Sequence, residues 1–157
     1  MTDAVRVHLH CTMWGTVPLR LADVLFRSDQ LQIVVYDYLT PLDLAVQSPS
    51  QRGRAFVDRI ETEGLSAALA AAEDVTELSY ESLNSLRVYD GGRIGREAVS
   101  IQSNTSHSRT VRVHGAVDLD GFVDAVRSVL SGHAVAVERR NGMAFEFNGL
   151  LGRLSRS

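Results

Sequence analysis

Two histidines lie two residues apart near the start of the chain, at His8 and His10. Residues 5–13 alternate between apolar and polar types, which is typical of a half-buried β-strand. His8 and His10 therefore share a face, and two imidazoles at that spacing can ligate one metal ion. We expect a third ligand from His114 or Asp37. The alternative is a solvent-facing strand with histidine at its polar positions.

Cys11 is the only cysteine, so no intramolecular disulfide can form within the chain. The alternation predicts that its side chain points to the face opposite the histidines, which weakens a mixed histidine and cysteine site. The sequence contains no Gly-x-Ser-x-Gly nucleophile elbow, and no helix start near Cys11 is predicted to activate the thiol. We therefore expect no catalytic nucleophile, no cofactor and no enzymatic activity.

A glycine-rich turn, Gly91–Arg96, carries two arginines. Backbone amides of such a turn can form an anion-binding nest, and Arg93 and Arg96 can hold a phosphate group. The turn is neither a Walker A motif nor a dinucleotide-binding loop, because a strand follows it instead of a helix. The alternative is a tight hairpin turn that needs glycine for positive φ angles.

The C-terminal segment has a short helical pattern of apolar residues. The spacing i, i+3, i+4, i+7 predicts an amphipathic tail that docks on its own domain, on a partner protein or second copy, or on a membrane surface. Because isolated helices of this length are marginal in water, the tail needs a surface to pack on. The residues that form this apolar stripe are Phe147, Leu150, Leu151 and Leu154.

The composition of the 157 residues is that of a soluble globular chain, with 45% hydrophobic and 22% charged residues. The formal net charge is −3, so we expect no nucleic-acid partner. All 16 basic residues are arginine, a bias that we attribute to codon usage. No apolar run approaches a membrane span and no secretory signal is recognisable, so we expect a cytoplasmic protein.

The periodicities predict strands, then a helical insert, then further strands and one amphipathic helix. Ser48-Pro49 starts an insert at about 49–73, and Asp118 caps a helix at about 118–131. Pro41 to Ser48 is interpreted as a connector, and residues 17–27 as a bulged strand or two short ones. The last two strands are predicted to form a hairpin around Asn141-Gly142. Hairpin-connected strands with segregated helices indicate an α+β fold with a mainly antiparallel sheet or partly open barrel.

Two stretches carry a resemblance to a known family. Residues 23–34 resemble the strand–Thr/Ser-Asp-x–strand hairpin of bacterial and archaeal pleckstrin-homology-like (PH-like) domains. Residues 78–113, followed by the helix at 118–130, are similar to the second sheet of that family and the helix that caps its barrel. The resemblance covers about two-thirds of the chain. It implies one PH-like domain over residues 1–140, followed by a strand and tail at 141–157.

Domains of this family usually act as adaptors that bind proteins, and some bind lipid head groups. In lipid-binding members the basic residues typically cluster in the first hairpin, whereas here the Trp14–Pro18 connection has none and Arg20 stands alone. We therefore expect a non-catalytic interaction module that binds a protein or forms a homo-oligomer. The alternatives are a small metal- or anion-binding enzyme using His8, His10 and the Gly91–Arg96 turn, and a peripheral lipid-binding domain.

Overall fold

A computed structural model describes residues 4–15, 19–46, 48–93, 95–104, 108–115 and 117–143. The helices are α1 (Pro41–Val46), α2 (Pro49–Glu63), α3 (Leu65–Ala71) and α4 (Leu119–Val129), and a 3-10 turn spans Tyr80–Ser82. The strands are β1 (Val7–Trp14), β2 (Leu19–Phe26), β3 (Gln30–Leu39), β4 (Asp74–Ser79), β5 (Leu83–Tyr89), β6 (Ala98–Ser103), β7 (Arg109–Val113) and β8 (Ala136–Arg140).

The eight strands form one sheet in the order β4-β3-β2-β1-β7-β6-β5-β8. All neighbouring strands are antiparallel except β5 and β8, which run parallel. The predicted α+β class with a mainly antiparallel sheet is confirmed. The strand predicted at 135–138 is present as β8, which lies parallel to β5 at the edge of the sheet, and its predicted hairpin partner lies almost entirely in residues 144–157, outside the described part of the chain.

Helix α4 covers one face of the sheet and completes the main hydrophobic core. The Asp118 carboxylate accepts a hydrogen bond from the Gly121 amide, as expected of an N-cap residue. Behind the cap, Phe122 meets Phe26 of β2 edge to face, with ring centroids 6.0 Å apart. The predicted amphipathic helix is therefore confirmed, because its apolar stripe is the side that packs on the sheet.

The helical insert covers the opposite face of β2 and β3. Phe56 of α2 and Ala68 of α3 pack against Leu25 and Val34, and Tyr36 stacks on Phe56 at 4.7 Å between ring centroids. Gly64 ends α2 with a φ of 92°, as its sequence position predicted. No helix in the described part of the chain is long and apolar enough to cross a membrane.

The connector predicted at 41–48 contains a helix that the sequence interpretation missed. The hydroxyl of Thr40 accepts from the Asp43 amide, while the Asp43 carboxylate accepts from the Thr40 amide at 2.8 Å. This reciprocal pair is a capping box, which satisfies amides at the first turn and starts α1. The Thr-Pro-Leu-Asp sequence at 40–43 was the local signal for it.

Strand β2 is one continuous strand, so of the two alternatives predicted near Ala22 and Asp23, a bulge and a break, the structure has the bulge. The irregularity is a register shift against β3 between Leu21 and Ala22. Every residue from Leu21 to Phe26 is buried, because helix α4 covers one face of the region and the insert covers the other. A strand covered on both faces loses the polar–apolar alternation that normally marks it.

Replacing Phe26 by alanine should lower the free energy of unfolding by about 3–5 kcal/mol, because it leaves a cavity in the core against Phe122. Urea denaturation monitored by circular dichroism measures the change. Leu42→Ala is the control, since Leu42 is largely exposed and should change stability by less than about 0.5 kcal/mol. Equal losses in the two variants would contradict the assignment of Phe26 to the core.

Candidate functional site

His8 and His10 of β1 both contact Asp23 of β2, on the sheet face that the helical insert covers. The Nε2 atom of His8 lies 2.5 Å from Asp23 Oδ2, and the Nδ1 atom of His10 lies 2.8 Å from the same oxygen. The two rings meet edge to face at 5.7 Å between centroids. The predicted shared face of the histidines is confirmed, and we call His8, His10 and Asp23 the triad.

A β-bulge at Cys11 completes the pocket around the carboxylate. The register between β1 and β2 shifts between Leu9 and Thr12, and Cys11 adopts a φ of 57°. In this conformation its amide donates to Asp23 Oδ1 at 2.8 Å. Positive φ is uncommon for a residue with a side chain, so the hydrogen bond to Asp23 helps to offset the cost of the bulge.

The bulge also changes the direction of the Cys11 side chain. Its Sγ atom lies 3.9 Å from the carbonyl oxygen of Pro49, at the start of α2. Cys11 therefore faces the insert, on the same side as His10, and the prediction of opposite faces is wrong because strict alternation stops at the bulge. Burial and the nearby Asp23 carboxylate raise the pKa of the Cys11 thiol, which keeps it protonated and poorly nucleophilic.

The carboxylate of Asp23 is the buried centre of the triad. Its side chain is 0% exposed, whereas the side chains of His8 and His10 are 31% and 38% exposed. Burial alone would raise the Asp23 pKa, but the hydrogen bonds from His10 and His8 outweigh it and hold the pKa below its ordinary value. The same hydrogen bond to Asp23 raises the pKa of His10 against the opposing effect of burial.

Helix α2 closes over the triad at Gly53. A Cβ atom at this position would lie 3.0 Å from the Tyr36 hydroxyl and 3.2 Å from Cε1 of His10. Glycine is therefore the residue that allows the helix to approach the imidazole this closely. The Tyr36 hydroxyl is buried near Asp23 but makes no hydrogen bond of good geometry with the described residues. Burial, followed by the charge of Asp23, raises its pKa, so the hydroxyl keeps its proton.

A groove runs from the triad along the junction of the sheet and the insert. Its volume is about 720 Å³, and it is bounded by His8 and Leu25 on the sheet side and by Ile60, Gly64 and Leu65 on the insert side. We call it the sheet–insert groove. It gives the His8 ring a route to solvent beside a largely apolar wall.

Neither of the residues expected as a third metal ligand belongs to the triad. The Asp37 carboxylate accepts from Arg52 at 2.8 Å, and the His114 amide donates to the Cys11 carbonyl at 2.9 Å. The carboxylate that meets the histidines is Asp23 instead. The sequence contained a signal for this role, because Asp23 is the single charged residue within the apolar run Leu21–Phe26. A carboxylate buried in such a run needs hydrogen-bond or charged partners.

The Gly91–Arg96 turn has an internal partner for its amides. Asp90 Oδ1 accepts from the amides of Gly92 at 2.9 Å and Gly142 at 2.8 Å, which lowers the Asp90 pKa. The Arg93 and Arg96 side chains are exposed. Anion binding by these arginines stays a prediction, and the carboxylate of Asp90 already takes the position that an anion would use at those two amides.

Arg20, expected to stand alone near the first connection, has basic neighbours. Arg20 and Arg109 each lie over the Trp14 ring, at 4.8 and 4.9 Å from its centroid. Arg109 also donates to the Thr76 hydroxyl at 2.8 Å, and Arg112 donates to the Gly15 carbonyl. The guanidinium groups of Arg20, Arg109 and Arg112 therefore all make contacts within this chain. The predicted tail residues Phe147, Leu150, Leu151 and Leu154 lie outside the described residues.

The fold has a counterpart among solved structures. The chain is similar to the hSac2 domain of the human phosphoinositide phosphatase Sac2. The TM-score is 0.54 at 8% sequence identity, and the match covers 92% of this chain and 81% of that one. At this identity the likeness concerns the fold alone. No protein-family model matches the sequence, and no curated protein matches it.

The triad makes stability depend on pH in a defined direction. Because the folded protein raises the pKa of His10, protonation of His10 stabilises the fold. This contribution to the free energy of unfolding is fully present below the ordinary pKa of 6.5 and is lost as pH rises through the raised pKa. The lowered pKa of Asp23 gives stability that is complete above its ordinary value of 3.8 and is lost as pH falls through the lowered value. We therefore expect this contribution to be greatest between pH 3.8 and 6.5.

Urea denaturation at a series of pH values below, within and above this range, with EDTA present, measures how the free energy of unfolding depends on pH. His10→Gln should flatten the loss of stability above pH 6.5, whereas His133→Gln, which lies outside the triad beside Tyr80, should preserve it. A profile that is identical in His10→Gln and the unaltered protein would contradict the coupling between His10 and Asp23.

Gly53→Ala should destabilise the protein, although alanine is the better helix former by about 1 kcal/mol. The added methyl group would press on Tyr36 and His10 and separate α2 from the sheet. Gly132→Ala is the matched control, because a Cβ there meets nothing within 4 Å. Thermal unfolding gives the two stabilities, and a higher melting temperature for Gly53→Ala would show that α2 does not approach the triad so closely.

Proposed function

We propose that this chain is a non-catalytic protein-interaction module of PH-like type, and that its partner docks on helix α1, just before the helical insert. The mostly antiparallel sheet with α4 packed on one face supports the PH-like assignment. The raised pKa of Cys11 supports a non-catalytic role, since a nucleophilic cysteine needs a lowered one. The docking position rests on where the exposed apolar side chains lie.

An exposed apolar patch at the end of β3 and on α1 is the observation that carries this proposal. Among the described residues, three of the four large hydrophobic side chains that are exposed are Tyr38, Leu42 and Val46. Leu42 is 74% exposed and Val46 is 81% exposed, and residues four apart lie on the same face of a helix. Concentrated apolar exposure of this kind is typical of an interaction surface.

The charges beside the patch indicate the chemistry of the partner. Arg52 lies 2.8 Å from the Asp37 carboxylate and 3.5 Å from that of Asp43. Two carboxylates around one guanidinium leave a negative charge beside α1, whereas the guanidinium of Arg20 lies over the Tyr38 ring, 5.9 Å from its centroid. Hydrogen bonds from Thr40 lower the pKa of Asp43, so its carboxylate is ionised at neutral pH. We infer a protein partner with apolar contact residues and basic side chains around them.

Site-specific cross-linking tests this surface. A photo-crosslinking amino acid at position 42 should capture one partner through an apolar segment flanked by lysine or arginine. The same group at position 93, an exposed site on the β5–β6 turn, is the control and should not capture that partner. Mass spectrometry identifies both ends of each cross-link. Cross-links from position 42 to a second copy of this chain would replace the proposal with a homodimer.

A double variant that introduces two charges into the patch supplies a second test. Leu42→Asp with Val46→Asp should weaken binding of the captured partner about tenfold or more, because each replaces an apolar contact with a desolvated charge. Met143→Asp, at the exposed hydrophobic residue outside the patch, should leave binding unchanged. Both variants should keep the melting temperature of the unaltered protein. Equal binding by all three proteins would overturn the docking surface.

A further inference from the structure

We propose that His8, His10 and Asp23 form a binding site for a divalent transition metal ion of the Zn²⁺ type. Their ligand atoms, two imidazole nitrogens and one carboxylate oxygen, all lie within 4.8 Å of one another. Two histidines with one carboxylate are a ligand set that Zn²⁺ accepts, with a fourth position left for water. The proposal is independent of the docking surface on α1.

The donors fit an ion once the two imidazole nitrogens move away from Asp23 Oδ2 and toward each other, from a spread that is now up to 4.8 Å. Tetrahedral Zn²⁺ with bonds of about 2.0–2.1 Å separates its ligand atoms by roughly 3.3 Å. The His8 and His10 nitrogens now lie 2.5 and 2.8 Å from Asp23 Oδ2, which is hydrogen-bond spacing. Both imidazoles are about one-third exposed, so each can move by under an ångström toward solvent while Asp23 stays fixed.

The carboxylate already has the support that a metal ligand requires. Asp23 Oδ1 accepts from the Cys11 amide, so Oδ2 is the oxygen directed at the histidines. Ligating carboxylates are commonly held by such an outer hydrogen bond. The Cys11 bulge is the local departure from regular strand geometry that creates this bond. The structure thus presents one oriented donor oxygen beneath two movable imidazoles.

The charge of the site favours a cation. The side chain of Asp23 is 0% exposed and ionised, and the groups that stabilise it are two imidazoles and one backbone amide. When the imidazoles are neutral, one full negative charge stays buried, which is costly without a counter-charge. A divalent ion bound to Oδ2 supplies that counter-charge where solvent cannot reach the carboxylate.

Two further features suit the fourth position. The sheet–insert groove opens beside His8 and gives an ion and a water molecule access to the triad. The Tyr36 hydroxyl and the His10 ring both lie within 3.3 Å of the point where a Gly53 Cβ would sit. That hydroxyl is buried near Asp23, and it can hydrogen-bond to a metal-bound water.

The donor types determine which ions should bind. Imidazole and carboxylate donors suit Zn²⁺, Co²⁺ and Ni²⁺, whereas Mg²⁺ and Ca²⁺ prefer oxygen donors alone. We therefore expect chelator-treated protein to take up one Zn²⁺ or Co²⁺ per chain and to bind neither Mg²⁺ nor Ca²⁺ at the same concentrations. Isothermal titration calorimetry measures stoichiometry and affinity, and the visible absorption of bound Co²⁺ reports its coordination number.

Single substitutions locate the ion. His8→Ala and His10→Ala should each weaken Zn²⁺ binding by at least tenfold, since even the loss of an outer supporting contact commonly costs about 10–100-fold. His133→Ala is the matched control, because it removes an imidazole from outside the triad. Both triad histidines are partly exposed, so these variants should fold, which circular dichroism checks. Asp23→Asn serves as a third variant if its spectrum is native.

Three results would overturn the proposal. If no Zn²⁺ binds at micromolar concentration, the triad is a hydrogen-bonded cluster only. If binding survives unchanged in His8→Ala and His10→Ala, the ion lies elsewhere in the chain. If His133→Ala weakens binding as much as the triad variants do, uptake reflects histidine content and no defined site exists.

Discussion

The charge on Asp23 is the constraint around which this half of the molecule is arranged. A carboxylate with no exposed surface is tolerated only when its oxygens are paired, because burial of an unpaired charge costs several kcal/mol. Oδ2 forms hydrogen bonds with the imidazoles of His8 and His10, and Oδ1 accepts a hydrogen bond from the Cys11 amide. The bulge in β1 places the Cys11 amide where it can donate to Oδ1. Gly53 has no side chain, so α2 can pack closely against His10.

The insert turns an ordinary two-layer arrangement into a locally three-layered one. Over β2 and β3 the sheet has α4 on one face and the α2–α3 pair on the other, so both faces of these strands are buried. Helix α1 lies between β3 and the insert, and its Leu42 and Val46 side chains remain exposed. This side of the sheet therefore has two separate features: α2 of the insert packs against His10 of the triad, and α1 presents an apolar patch.

A fold shared with the hSac2 domain at 8% identity places the elements but says little about side chains. Function has to be argued from the chemistry that this chain positions on the fold. The triad offers nitrogen and oxygen donors around a buried charge, and the patch offers apolar contact beside a carboxylate pair. The first suits a metal ion and the second a protein surface, so both can operate in one molecule without sharing a residue.

Properties that depend on residues close together in the chain could be predicted from the residue types alone. The two-residue period of β1 placed His8 and His10 on one face, and the 3.6-residue period of α4 with its Asp118 cap predicted the helix and its apolar stripe. The Thr40 and Asp43 capping box was also readable locally, although the connector prediction overlooked it.

Contacts between residues of different segments could not be predicted in this way, because they depend on how the segments pack. Asp23 opposes the histidines because of the β1–β2 register, which a bulge shifts between Leu9 and Thr12. The same bulge directs the Cys11 side chain toward α2. Asp37 forms an ion pair with Arg52 and does not contact the histidines. Strand register, bulges and ion pairs depend on the energies of contacts between segments far apart in the chain, which a local pattern of residue types does not contain.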